Sequence, residues 1–140
     1  MNEQTGGSET RDSRSLDEPV MAFDLRSELE ALRAEAAYRD NGRTSKTLAR
    51  SGPLRLVLTA VRAGTELGAE RPDGPVAVEV LEGRVAADGG ADGATEGRQL
   101  GAGSVAWFGG DRAWHLRADD DGALLLSVVG DDDGLGRPAR

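Results

Sequence analysis

The stretch DRAWHLRA (111 to 118) carries the only histidine of this 140-residue chain, His115, directly beside Trp114. A lone imidazole can act as a proton carrier, a metal ligand or an ordinary surface group, and here its options are narrow. A serine triad would need His115 as its base, and no nucleophile-elbow sequence accompanies it. The chain has no cysteine, which removes thiolate catalysis, thiolate metal sites and disulfides together. The runs Asp119 to Asp121 and Asp131 to Asp133 lack the alternating ligands and distal glutamate of a calcium loop. GAGSVAWFGG (101 to 110) lacks the spacing of a dinucleotide fingerprint and enters a strand instead of a helix. Solvated turns account for both, and no catalytic residue is assigned.

The element that must position His115 decides its role. Neighbours in a strand point to opposite faces, so Trp114 and Leu116 share one face while His115 and Arg117 share the other. A one-residue slip that turned His115 inward would push Trp114 and Leu116 into water, a loss of about 1.5 to 3 kcal/mol each if both are buried. His115 is therefore expected on the outer face of a sheet. Further strand signals lie at LRLVLTAVRA (54 to 63), VAVEVLEGRVAA (76 to 87), SVAWF (104 to 108), AWHLRA (113 to 118) and ALLLSVV (123 to 129). Each is closed by Gly, Pro or Asp, as in an antiparallel sandwich or barrel. DGGADGATEGRQ (88 to 99) reads as a long, solvated hairpin connection.

Before the strands, FDLRSELEALRAEAAYRDNG places Leu25, Leu29, Leu32 and Ala36 at helical spacing, with Asp24 as a cap and Asn41-Gly42 as a stop. The spacing predicts one amphipathic helix over 24 to 39, packed on the outside of the main domain or against a second subunit. Residues 1 to 20 and 131 to 140 offer little apolar surface to offset the entropy of ordering, so both are expected to be disordered. That leaves a helix and linker at 22 to 42 and a β-domain at 43 to 130. A formal net charge of -8 argues against general affinity for nucleic-acid phosphates or an anionic membrane. With no apolar run of signal-core or membrane-spanning length, the expected location is cytoplasmic.

Two stretches taken together resemble the paired motifs of the small single-domain cupins. They are AGTELGAERPDGPVAVEVLEGRV (63 to 85) and LGAGSVAWFGGDRAWHLRADDDGALLLSVV (100 to 129). The cues are Gly64, Pro75, Leu81-Glu82-Gly83, Gly101-Ala102-Gly103 and the late apolar strand. With RTSKTLARSGPLRLVLTAV, which resembles the lead-in strands of these proteins, the likeness covers residues 43 to 129. It implies an all-β, jelly-roll-like double-sheet barrel with one N-terminal amphipathic helix, a central pocket, and a tendency to dimerise.

The same resemblance implies a metal site that this sequence does not fill. Counted along the family's first motif, Glu70 and Pro72 stand where two histidine ligands belong, and Val76 stands at the glutamate. In the second motif, Gly109, Asp111 and Trp114 stand where proline, glycine and the last histidine belong. Of the ligand columns, only Glu70 offers a donor, and His115 falls one position past the last. The expectation is a metal-free cupin-like barrel without cofactor, acting as a small-ligand-binding or accessory and regulatory module. Glu70, Arg71, Val76 and Trp114 are the pocket candidates, with Glu70 a candidate acceptor for the Trp114 indole N–H. The alternatives are a cupin-type oxygenase or isomerase with a degenerate site, and a structural interaction protein. A homodimer, no nucleic-acid or membrane partner and at most a small organic ligand complete the reading.

Overall fold

The computed structural model describes residues 16–88, 97–110 and 112–130. The expected disordered ends fall mostly outside these, as do residues 89–96 of the hairpin connection and Asp111. Where the described chain begins, the Leu16 carbonyl accepts from the Arg50 N–H at 2.8 Å.

Strands β1 (Arg43–Ser51), β2 (Leu54–Val61), β3 (Glu66–Ala69), β4 (Val76–Glu82), β5 (Arg84–Asp88), β6 (Arg98–Gly101), β7 (Val105–Phe108), β8 (Trp114–Ala118) and β9 (Gly122–Val129) form two antiparallel sheets. One sheet has the order β1-β2-β9-β4-β7 and the other β3-β8-β5-β6. The facing sides enclose the main core, which includes Val57, Val61, Val78, Val80, Leu116, Leu124 and Leu126. A second core, with Leu29, Leu32, Leu48, Leu58, Ala60 and Ala123, lies between the outer side of the larger sheet and the helical segment.

This two-sided cover explains which strands alternate and which do not. In β8 the pattern is strict: Trp114, Leu116 and Ala118 are buried while His115 and Arg117 are exposed. In β2 the residues from Val57 to Val61 are all buried, because Val57 and Val61 face the barrel while Leu58 and Ala60 face the helices. A strand covered on both sides reads as a nearly continuous apolar run.

The long segment 76 to 87 is not one strand. It breaks at Gly83, where φ is +87°, and the chain passes from the larger sheet to the smaller one. A Cβ at Gly83 would lie 2.7 Å from the Asp121 carbonyl oxygen and 2.9 Å from the Gly122 Cα, so the corner needs glycine for both conformation and space. A bulge between Val80 and Glu82 accompanies the turn, as is common where strands change sheets.

The single helix expected over 24 to 39 is two helices, α1 (Leu25–Arg33) and α2 (Ala36–Asn41). The Asp24 carboxylate caps α1 by accepting from the Arg26 and Ser27 N–H groups. Glu35 then leaves helical geometry, with ψ at 148°, and its carboxylate accepts from the Thr44 hydroxyl at 2.7 Å. That tie to β1 accompanies the break, and it leaves Ala36 exposed and Tyr38 packed on the second core. The helices are clamped to the sheet by a Lys46–Glu28 ion pair at 2.7 Å and by Arg33, which reaches Glu82 at 2.8 Å and the Gly122 carbonyl at 3.2 Å. Burial works against the charge on Arg33. Attraction and hydrogen bonding from Glu82, with Tyr38 adding, outweigh it and raise the pKa above its ordinary value. No described helix is long and apolar enough to cross a membrane.

Candidate functional site

One rung of the larger sheet defines an end of the barrel. Arg55 pairs with Val128, Val128 with Val76, and Val76 with Phe108. Across from it, in the smaller sheet, Ala69 pairs with Trp114. The Phe108 and Trp114 rings stack, with centroids 5.1 Å apart and planes 25° apart, a geometry worth about 0.5 to 1.5 kcal/mol beyond area burial. The connection 70–75 lies at this same end, as does Gly110, which packs beside Pro75.

Trp114 is 3% exposed, and its Nε1–H has no hydrogen-bond partner among the described residues. An unsatisfied buried donor costs about 1 to 3 kcal/mol. Glu70 does not supply the acceptor proposed for it. Ala69 is the residue opposite Trp114, so Glu70, next along the chain, turns outward and is exposed, as is Arg71. Val76 and Trp114 come together in the main core, whereas Glu70 and Arg71 stand on the 70–75 connection at the same end, facing solvent. Pro72 lies in that connection too.

His115 is exposed on the outer face of the smaller sheet. Its Nε2 lies 3.1 Å from Glu66 Oε1, with both side chains substantially in water. It pairs across the sheet with Gly68 and Asp88. The strand that buries Trp114 and Leu116 directs His115 away from the barrel.

Sequence reasoning passes over Arg55, which is 3% exposed. It shares the parity of Val57 and Val61 in β2, both of which lie in the barrel core, so its side chain enters the barrel. The signal was available: LRLVLTAV places an arginine on the same face as those valines. Burying a guanidinium is unfavourable without hydrogen bonds or a counter-charge, and Arg55 is engaged within the chain. Farther along the same face Thr59, 1% exposed, shares a 2.7 Å hydroxyl–hydroxyl hydrogen bond with Ser45.

The buried inward polar groups of the described strands are therefore the Arg55 guanidinium, the Trp114 indole N–H and the Thr59 hydroxyl, with no carboxylate or imidazole among them. Indole and guanidinium donate and do not accept. Such an interior can bind and orient an acceptor, but it lacks a group that exchanges protons near neutral pH. It does not fit a first-row metal either. Proline, valine and tryptophan fill the positions implied for ligands, and the described residues contain no group of three His, Asp or Glu able to hold an ion.

No protein-family profile matches the sequence, and no curated protein matches it in sequence. Solved structures do match it in shape. A cupin superfamily protein from Desulfitobacterium hafniense superposes with a TM-score of 0.58 at 17% identity, covering 66% of this chain and 82% of that one. A protein of unknown function from Streptococcus pyogenes gives a TM-score of 0.63 at 20% identity, over 84% of this chain and 94% of that one. Salicylate 1,2-dioxygenase from Pseudoaminobacter salicylatoxidans gives 0.67 at 20% identity, over 83% of this chain but 36% of that one.

Proposed function

The chain has the cupin fold, and we propose that it is a cupin barrel working without a metal centre, as a small-ligand-binding or accessory and regulatory module. The observation that carries this reading is Trp114. It stands at the last ligand column of the resemblance, buried inside the barrel and stacked on Phe108. An indole there occupies the volume that a metal with its waters and substrate would take, and it offers no lone pair to coordinate. Val76, on the opposing sheet, adds only methyl groups. Elemental analysis of the purified, unsupplemented protein tests the reading. Zinc, iron, nickel and manganese are expected far below one per chain, and a stoichiometric amount of any of them would return the enzyme reading to first place.

We further propose a homodimer in the cytoplasm. The support is the outer face of β7, an edge strand on which Val105 and Trp107 are 63% and 69% exposed. Unpaired edges carrying apolar side chains invite pairing with a second chain.

A further inference from the structure

We propose that Asn41–Gly42, the joint between α2 and β1, is a site of spontaneous backbone modification, and that local opening of α2 sets its rate. This chemistry is independent of what the barrel binds, and the step balances without an enzyme. The Gly42 amide nitrogen, on losing its proton, attacks Asn41 Cγ. The new C–N bond closes a five-membered succinimide, the bond from Cγ to Nδ2 breaks, and ammonia leaves. Water then adds to one of the two ring carbonyls. Opening at the side-chain carbonyl leaves aspartate, and opening at the backbone carbonyl leaves isoaspartate, whose main chain runs through the former side-chain methylene.

The sequence supplies the reactive pair and the fold keeps it. Glycine has no Cβ to shield the attacking nitrogen, and Asn41 is exposed at the end of α2. Gly42 has φ +84°, and a Cβ there would lie 2.6 Å from Thr65 Oγ1, so another residue at that position would be strained. In the closed structure the same joint restrains the reaction. Asn41 is helical, and the Gly42 N–H, whose proton must be lost, donates to the Tyr38 carbonyl at 3.1 Å. The Gly42 carbonyl accepts from the Arg62 N–H at 2.8 Å and from the Thr65 hydroxyl at 3.0 Å. Attack requires the peptide between Asn41 and Gly42 to rotate, which gives up the Tyr38 bond and swings the carbonyl from its two donors.

α2 is the element that opens most easily. It has six residues, none buried, and no side-chain cap at its N-terminus. Helices this short have little stability of their own, and segments with few buried contacts open locally at low cost. Either product then marks the joint. Aspartate adds a negative charge at the negative end of the helix, and isoaspartate lengthens the main chain so that the bonds to Tyr38, Arg62 and Thr65 do not all re-form.

The test is peptide mass spectrometry on the full chain incubated at neutral pH, native and unfolded in urea. Asn2 and Asn41 are its two asparagines, and the gain in mass on exchanging NH2 for OH separates this reaction from isomerisation at Asp–Gly pairs, which leaves the mass unchanged. Asn41 is expected to convert in the native protein about 10- to 100-fold more slowly than in urea, the worth of one or two broken hydrogen bonds. Thr65→Val removes one donor to the Gly42 carbonyl, and it should speed the native reaction about 2- to 10-fold while leaving the rate in urea unchanged, with circular dichroism confirming that the variant is folded. A native rate equal to that in urea shows no restraint by α2. A native rate lower by more than about a thousandfold, the level of global unfolding, shows that α2 does not open on its own. Either result overturns the proposal, as does a folded Thr65→Val protein that reacts no faster than wild type.

Discussion

The two tryptophans lie only a few residues apart, and truncating them should have opposite consequences. Trp114→Ala removes a side chain that is 3% exposed, stacked on Phe108 and packed in the main core. Deleting a core aromatic costs about 3 to 5 kcal/mol through lost transfer energy and the cavity left behind. Losing the ring stack adds about 0.5 to 1.5 kcal/mol. Removing an unsatisfied buried N–H returns about 1 to 3 kcal/mol. The net expectation is a loss of about 0.5 to 5.5 kcal/mol, about 3 at the middle of each range, which for a domain of this size lowers Tm by on the order of 10 °C. Trp107→Ala removes a side chain that is 69% exposed, and in the monomer it should change stability by no more than about 0.5 kcal/mol. Urea unfolding followed by far-ultraviolet circular dichroism measures both without relying on either indole as the reporter. A Trp114→Ala protein as stable as wild type would refute the placement of Trp114 inside the barrel.

Three further outcomes are expected. Gly83→Ala puts a methyl into a positive-φ corner, 2.7 Å from the Asp121 carbonyl oxygen; it should lose more than the roughly 1 to 2 kcal/mol of left-handed strain alone, measured by chemical denaturation. His115→Ala breaks an exposed contact with Glu66, so its stability should stay within about 1 kcal/mol of wild type and its metal content should not change. Sedimentation is expected to show a dimer at micromolar concentrations that Trp107→Glu converts to monomer, and a wild-type monomer throughout would rule out the β7 interface.

The legible part of the fold was the part whose two faces differ. β8 can be read directly because WHLRA alternates between core and water, and that alternation also decides against His115 as an inward ligand. The late strand ALLLSVV and the strand within LRLVLTAVRA were visible as apolar runs. What a continuous run cannot say is which residues face which core, and here Val57 turns to the barrel while Leu58 turns to the helices. Short strands escaped notice for a different reason. β3 and β6 have only a few residues each, rich in Gly, Glu, Arg and Gln, so their identity comes from pairing with β8 and β5 rather than from local preference. The split at Glu35 depends on a hydroxyl of β1, a tertiary contact that helical spacing does not register. At the site, Trp114 and Val76 could be placed from motif spacing, whereas Arg55 sits in a lead-in strand outside both motifs. Glu70 failed as a partner for the indole because one residue of strand parity turns it to solvent.

A metal titration of the wild-type protein at neutral pH tests the proposal that the barrel works without a metal centre. Calorimetry with zinc, nickel, manganese and ferrous iron in turn is expected to show only weak, non-stoichiometric heats. Tight binding of one equivalent of any of these metals, abolished by Glu70→Ala or His115→Ala, would contradict the account.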